Sequence, residues 1–308
     1  MTVWNRVSAF VLRNRGALIR NLVREAAVRF WVRFKVWRIL GPILPIREPE
    51  AWIFMGGCYN SGTTILREMI GSHPEVASLP REGVEITDAF PDLEAGGWVR
   101  MWFRNAKAAD LSSCDPVNLA NRAKRDWSPW WRRDARVFIE KSIIHGAWMP
   151  ALDAGFRNAR FIGVIRDGYC VCEGIRRRAR PIEGARDDLG QDTYPIDEVG
   201  RQWVHANEVL IRDQHKIENY LEVYYEEFTA NPVKTLRKIF EFVGVDPNVV
   251  SIDSAGMVII GARRFAILNQ NIESYARLSE EDRVALGAVI DPLMSQLGYK
   301  SGYFDEQR

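Results

Sequence analysis

The sequence predicts an α/β fold: a parallel β-sheet of four to five strands flanked by helices, preceded by an amphipathic helical arm. Short, unbroken apolar runs alternate with longer helical segments, the pattern of a sheet covered on both faces. One of those runs passes into a glycine-bounded loop and then a helix. Composition agrees, since 308 residues at 47% hydrophobic and 27% charged suit a folded chain of one large or two small domains. A mainly disordered or collagen-like chain is excluded. Four cysteines without a CxxC pair exclude a disulfide-dense scaffold and a zinc ribbon, and fit a reducing compartment or simply core packing.

Charge separates residues 1–46 from 47–308. The arm holds nine Lys/Arg and one acid, Glu25, a net +8; the body holds 33 basic and 39 acidic residues, a net −6. No apolar run in the arm reaches the roughly 18–20 residues of a membrane span. No secretory core with a small-residue cleavage site is present either. At about 100° per residue, Arg6, Arg13, Arg20, Arg24, Lys35 and Arg38 share an arc of roughly 60°. Val11, Leu18, Leu22, Ala26 and Val36 lie opposite, flanked by Phe30, Phe34 and Trp37, if Gly16 does not break the helix. A basic face against an apolar one suits a helix lying in a membrane interface. That reading expects an anionic membrane surface as partner and a cytoplasmic chain, peripheral on the cytoplasmic membrane face. Packing on the body or on a sister subunit in a homo-oligomer stays open, as does a transit peptide. No nucleic-acid partner is expected. Gly41-Pro42 and Pro45 end the arm.

In the body, Ala51–Gly57 reads as a buried strand between Pro49 and a Gly pair. A helix follows over 61–72, stopped at His73-Pro74. Residues 84–133 are helical and loopy and rich in tryptophan. Strands follow at 136–140 and 159–165, then a helix over 168–179. The Pro, Gly and Asp of 180–195 predict a mobile loop. A long helix spans 196–219, a fourth strand 221–225 and a helix 232–243. Residues 251–275 read as irregular. Ser279 caps a closing helix to 297, with Asp282 three residues on.

The loop Gly57-Cys58-Tyr59-Asn60-Ser61-Gly62-Thr63-Thr64 has phosphate-binding spacing, GxxxxG and two more residues. Glycines let backbone N–H groups converge, and the helix N-terminus adds partial positive charge. A tight strand-to-helix turn with a Ser/Thr cap is the bland alternative. A nucleotide triphosphatase needs Lys where Thr63 stands, to grip the β- and γ-phosphates. The hydroxyls of Ser61, Thr63 and Thr64 can still hold a terminal 5′-phosphate.

The run GCYNSGTTILREMIGSHPEVASLPREG resembles the 5′-phosphosulfate loop of the sulfotransferases that use 3′-phosphoadenosine 5′-phosphosulfate (PAPS). ARFIGVIRDGYCVCEGI resembles their second signature, and VYYEEFTANPVKTLRKIFEFVGV their late strand–helix unit. Three motifs in order cover about 51–245, and the arm lies outside them. The resemblance implies a P-loop-like sulfotransferase fold, PAPS as co-substrate and no metal. It places the cofactor on residues 57–64, with Arg166 as 3′-phosphate ligand at a strand end, where Arg pairs bidentately. Gly174 stands where relatives carry a second ligand, a Ser. Arg176, Arg177 and Arg178 could substitute for it or form a solvated face.

Asn60 replaces the Lys or Arg that many relatives carry, so it can donate to the sulfonate but brings no charge. Lys141 matches a strand-end catalytic Lys. A base is expected from Glu82, in the place used by protein-tyrosine sulfotransferases, with His145 and Glu85 as alternatives; Ile143 occupies the position of the cytosolic relatives' His. A carboxylate in a desolvated pocket can rise toward neutrality and accept a hydroxyl proton. The expected reaction moves a sulfonate to a hydroxyl or amine; the acceptor stays open between a glycan or glycolipid at a membrane surface and a small molecule. A kinase-like P-loop protein is disfavoured by Thr63. A degenerate sulfotransferase-fold scaffold gains weight from Asn60, Ile143 and Gly174.

Overall fold

The computed structural model describes residue 23 and residues 25–32 and 34–299. The central sheet has five parallel strands in the order β2-β3-β1-β4-β5. They are β1 Ala51–Gly57, β2 Val76–Ser78, β3 Val137–Glu140, β4 Ala159–Ile165 and β5 Tyr220–Tyr224. All four predicted strands are present, and β1 pairs with β4 from Trp52–Ala159 to Gly57–Val164. β2 escaped the sequence reading because three residues show no period; it closes the sheet edge beside β3.

β1 is buried along its whole length, and its side chains alternate between two cores. Trp52 and Phe54 enter one with Trp127, Phe138 and Phe156, whereas Ile53 and Met55 enter the other with Leu66, Ile139 and Phe240. A strand covered on both faces reads as a continuous apolar run for this reason. Trp52 meets Phe156 and Phe138 edge-on at 5.0 and 5.5 Å, so truncating it to Ala should cost about 3–5 kcal/mol.

Helices cover the sheet: α1 Thr63–Ile70, α2 Pro116–Trp127, α3 Met149–Gly155, α4 Gly168–Arg178, α5 Glu183–Leu189, α6 Ile196–Asp213, α7 Tyr225–Ala230, α8 Pro232–Val243, α9 Asn271–Ala276 and α10 Glu280–Gln296. α10 starts in a capping box: Asp282 N donates to Ser279 Oγ and Ser279 N to the Asp282 carboxylate, each at 3.1 Å. α5 lies inside the stretch expected as loop, held by its one buried side chain, Ala185. α6 ends at Asp213, short of the expected 219, in a 3₁₀ turn. The stretch expected to be irregular carries an antiparallel sheet, β6 Val250–Ile252, β7 Val258–Ile260 and β8 Arg263–Phe265.

The described part of the arm is helical over 25–32. It does not continue as one helix, because Lys35 adopts φ 46° and a separate turn, Trp37–Leu40, follows. Val28, Trp31 and Trp37 are buried, and both tryptophans join the body's core. Trp31 stands edge-on to Trp130 at 5.6 Å. Arg38 donates to Asp88 at 2.9 Å, and Arg81 to Glu25 at 3.3 Å. Trp37, read as flanking the arm's apolar face, is therefore a core residue, as the packing alternative expects for that position. The phase of Arg6 to Arg20 and the bend expected at Gly16 lie outside the described residues. Among the described residues, no helix is long and apolar enough to cross a membrane.

Candidate functional site

The C-terminal ends of the five strands converge on one cleft of about 1060 Å³, where ligands bind in open α/β sheets. Loop 58–62 follows β1, Glu82 lies shortly after β2, Lys141 follows β3, Arg166 follows β4 and Tyr225 follows β5. Asn60, Gly62, Thr63, Thr64, Glu82, Lys141, Arg166 and Tyr225 all line it.

Two loop glycines are required by space and backbone. A Cβ on Gly57 (φ 156°) would come within 2.7 Å of the Val164 carbonyl, and one on Gly62 (φ 87°) within 2.6 Å of the Tyr225 ring. The loop is thus pressed onto β4 and α7 and leads directly into α1, whose first turn carries no acid. Its helix dipole is left for an anion. Asn60 takes the left-handed φ of 64° that Asn tolerates.

Three buried polar groups at this loop have no hydrogen-bond partner: Asn60 Nδ2, Ser61 Oγ and Arg166 Nη2. Buried polar groups are rarely left so. Arg166 is otherwise fully engaged. Its Nε donates to Asn271 Oδ1 at 2.8 Å, its Nη1 to the Asn60 carbonyl at 2.7 Å, and its guanidinium lies 4.2 Å from the Tyr225 ring centroid. Three donors without acceptors, beside a helix N-terminus, fit an anion with several oxygens.

Other expected ligands behave differently. Cys58 is fully buried in the core, burial pushes its thiol up to about 12, and its side chain does not line the cleft. Tyr59 donates its hydroxyl to Glu94. Gly174 does not line the cleft: a Cβ there would sit 3.1–3.3 Å from the Asn60 side chain, so the missing side chain makes room for Asn60. Of the three arginines that follow, Arg176 binds Asp282 at 2.5 and 2.6 Å and Arg177 binds Glu173 at 2.6 Å. Arg178 alone of the three turns to the loop, donating to Asn60 Oδ1 at 2.9 Å. Arg100 donates to the same oxygen at 3.2 Å. Asp167 leaves Arg166 and caps α4 by accepting from Cys170 N at 3.0 Å; burial pushes its carboxyl up to about 6.

Also on the cleft lining, Lys141 forms an ion pair with Glu82. Burial raises the Glu82 carboxyl above its ordinary range, although Lys141 opposes this. Glu85 is exposed and bound to Arg81 at 3.0 Å. His145, the alternative base, is buried outside the cleft lining, among Phe54, Phe90 and Trp148. Its Nδ1 lies 2.5 Å from Glu140 Oε2, so the structure removes it from the acceptor side. Ile143 does line the cleft.

Glu140 was missed by sequence reasoning. It is fully buried, which alone would raise its carboxyl, but His145 and the donors from Ser142 and Gly83 hold it below the usual range. It accepts from Gly83 N, and from Ser142 N and Oγ at 3.0 and 2.7 Å. Trp127 Nε1 donates to the Gly83 carbonyl at 3.0 Å. Glu140 thereby fixes the turn carrying Glu82; a charged residue closing an apolar strand was its only sequence signal. Arg100, Asn271 and Tyr225 were also missed. Val32, Lys35 and Trp37 of the arm line the cleft as well. Among the described residues, no cluster of three or more His, Cys, Asp or Glu could hold a metal.

The model of a family described as the sulfotransferase family matches residues 52–248. Protein-tyrosine sulfotransferase A of Caenorhabditis elegans is 26% identical over 208 residues, covering 63% of this chain and 50% of its own length. The protein-tyrosine sulfotransferase of Drosophila melanogaster is 28% identical over 215 residues, covering 64% of this chain and 38% of its own. The chain spans between 38% and 65% of the length of the curated relatives compared. The crystal structure of a sulfotransferase from Alicyclobacillus acidocaldarius covers 84% of this chain with a TM-score of 0.49 and 16% identity.

Proposed function

The chain belongs to the sulfotransferase family, and we propose that it transfers a sulfonate from PAPS to the phenolic hydroxyl of a protein tyrosine. The observation that carries the donor half is the trio of unpartnered buried donors at the loop, Asn60 Nδ2, Ser61 Oγ and Arg166 Nη2. Support for the acceptor half is the likeness to protein-tyrosine sulfotransferases. The glycan or glycolipid acceptor expected from the sequence gains no such support.

In this reading the backbone of 58–64 and the α1 N-terminus hold the 5′-phosphosulfate, and Arg166 Nη2 takes the 3′-phosphate. Glu82 accepts the phenolic proton as the acceptor oxygen bonds to sulfur. The electron pair of the breaking S–O bond passes to the bridging oxygen and stays with the leaving 5′-phosphate. Lys141, paired with Glu82, faces the sulfonate. Asn60 brings no charge to the bridging oxygen, but Arg100 and Arg178 converge on its amide oxygen and bring two. Cations at the developing charge stabilise the transition state. Gly174 admits Asn60 to this position. Two of the departures that favoured a degenerate scaffold, Asn60 and Gly174, thus offset each other in this reading.

Calorimetry with 3′,5′-adenosine bisphosphate, with ATP as comparison, tests the donor half. Arg166→Ala should weaken binding of the bisphosphate roughly ten- to a hundredfold, the loss of one charge-assisted contact. Preference for ATP would sink the reading. Label transfer from PAPS to tyrosine peptides and to phenylalanine counterparts tests the acceptor half, and equal labelling of both would refute a tyrosine acceptor.

A further inference from the structure

We infer that the outward face of the arm docks on an anionic lipid bilayer. Docking requires no transfer chemistry and stands apart from the reaction proposed above. Twelve large apolar side chains are exposed among the described residues, and six of them fall within 23–43: Val23, Phe30, Phe34, Ile39, Leu40 and Ile43. Scattered exposed apolar residues are normal, but a concentration of them marks an interaction surface. Phe30, Ile39 and Ile43 are 59%, 76% and 78% exposed, and the Phe30 and Phe34 rings stand 4.7 Å apart. These residues are not a misplaced core, because Val28, Trp31 and Trp37 of the same stretch already serve the core.

Charge selects the occupant. Lys35 is interleaved with the exposed apolar residues, as are Arg29 and Arg38, whose side chains stay 72% and 55% exposed although paired with Glu25 and Asp88. The one acid of this stretch, Glu25, is occupied by Arg29 at 3.1 Å and Arg81 at 3.3 Å. Arg6, Arg13, Arg15 and Arg20 extend the same composition through residues 1–22 without an acid. A second copy of the chain would set these cations against each other. An anionic bilayer gains from both halves of the pattern, with cations at the headgroups and apolar side chains between them. Lys35 and Trp37 also line the cleft, so docking brings its rim to the lipid surface.

The test uses the full chain in flotation with vesicles of phosphatidylcholine alone or mixed with phosphatidylglycerol. The chain should float with the anionic vesicles, less so at high salt, and poorly with the neutral ones. A Phe30→Asp/Ile39→Asp/Ile43→Asp variant should keep the wild-type unfolding midpoint and lose at least about tenfold in vesicle affinity. Ile39→Asp and Ile43→Asp singly read the same surface should the triple variant fail to fold. Three results would overturn the assignment. The full chain ignores anionic vesicles at low salt; the aspartate variants bind undiminished; or wild type dimerises, the variants are monomers, and neither binds lipid, which gives the face to a second copy.

Discussion

Replacing Arg100 and Arg178 by alanine should slow sulfonate transfer more than it weakens nucleotide binding. Their Nη1 atoms stand 3.2 and 2.9 Å from the Asn60 amide oxygen, at the loop that would hold the phosphosulfate. Charge on the bridging oxygen grows as the S–O bond breaks, so a cation there acts mainly on the transition state. At about 5 Å and an effective dielectric near 20, one full charge pair is worth about 3 kcal/mol. Arg178 is exposed and only part of the charge develops, so about 1–2 kcal/mol per arginine is the discounted figure. That is roughly five- to thirtyfold in rate for each single variant. Both arginines serve one oxygen, so the double variant should fall short of the product of the singles. Initial rates at saturating PAPS, paired with calorimetry on 3′,5′-adenosine bisphosphate, separate kcat from affinity. Asn60→Lys on the double-alanine background returns a cation to the loop and should recover part of the rate. On the intact protein the same change crowds three cations and should lower it. An unchanged kcat in the double variant, or a loss matched by an equal rise in Kd, would refute the catalytic role.

Glu82→Gln should spare bisphosphate binding and cost about 10²–10⁴-fold in turnover, the usual share of a general base. Burial raises Glu82, so the wild-type rate should climb with pH through a step above the ordinary carboxyl range, and the Gln variant should lack it; a retained step assigns the base elsewhere. Gly174→Ser restores the residue the family resemblance implies, yet its Cβ meets Asn60 at 3.1–3.3 Å, so transfer should fall; an undiminished rate would show that Asn60 yields freely. Burial pushes Asp126 up to about 6. The native state therefore holds that proton more tightly than the unfolded chain, and stability present near pH 4 should decline toward pH 6. Asp126→Asn should remove about 1–2 kcal/mol of that decline, and melting curves with unchanged pH slopes would contradict it.

Legibility in the sequence followed local completeness. β1 and β4 could be read because each is a seven-residue run, apolar but for Arg160 and buried along nearly its whole length. β2 could not, since Val76–Ser78 forms only by pairing with β3 from 137 to 139. The three short strands after 250 carry too few residues for alternation to show. α5 was hidden by its composition, because the run EGARDDL is polar on nearly every side. Within the site, loop 57–64, Arg166 and Lys141 were legible as strand-end residues, and the cleft is lined by Arg166, Lys141 and, from the loop, Tyr59, Asn60, Gly62, Thr63 and Thr64. His145 misled because its distance along the chain from Lys141 says nothing about direction: the 3₁₀ turn after β3 sends it inward to Glu140. The arm's apolar residues serve two surfaces, Trp31 and Trp37 inward and Phe30 and Ile39 outward, which a single helical phase could not show because the helix does not continue past Lys35.

Asn60 and Gly174 depend on each other in a way that neither reveals alone. Taken singly, each looks like damage, one a lost cation and the other a lost hydroxyl ligand. In space they are a single arrangement. The absent side chain at 174 gives Asn60 its room, and the Asn60 amide oxygen in turn gathers Arg100 and Arg178, 40 and 118 residues away in sequence. A Lys or Arg at position 60 would be repelled by those two guanidiniums, and a larger residue at 174 would displace the amide that orients them. Either replacement made alone toward the family pattern should therefore be harmful, whereas Arg100→Ala and Arg178→Ala should make Asn60→Lys tolerable. That dependence of one substitution on the others distinguishes a rearranged site from a decayed one, in which restoring the family's residue would help or do nothing.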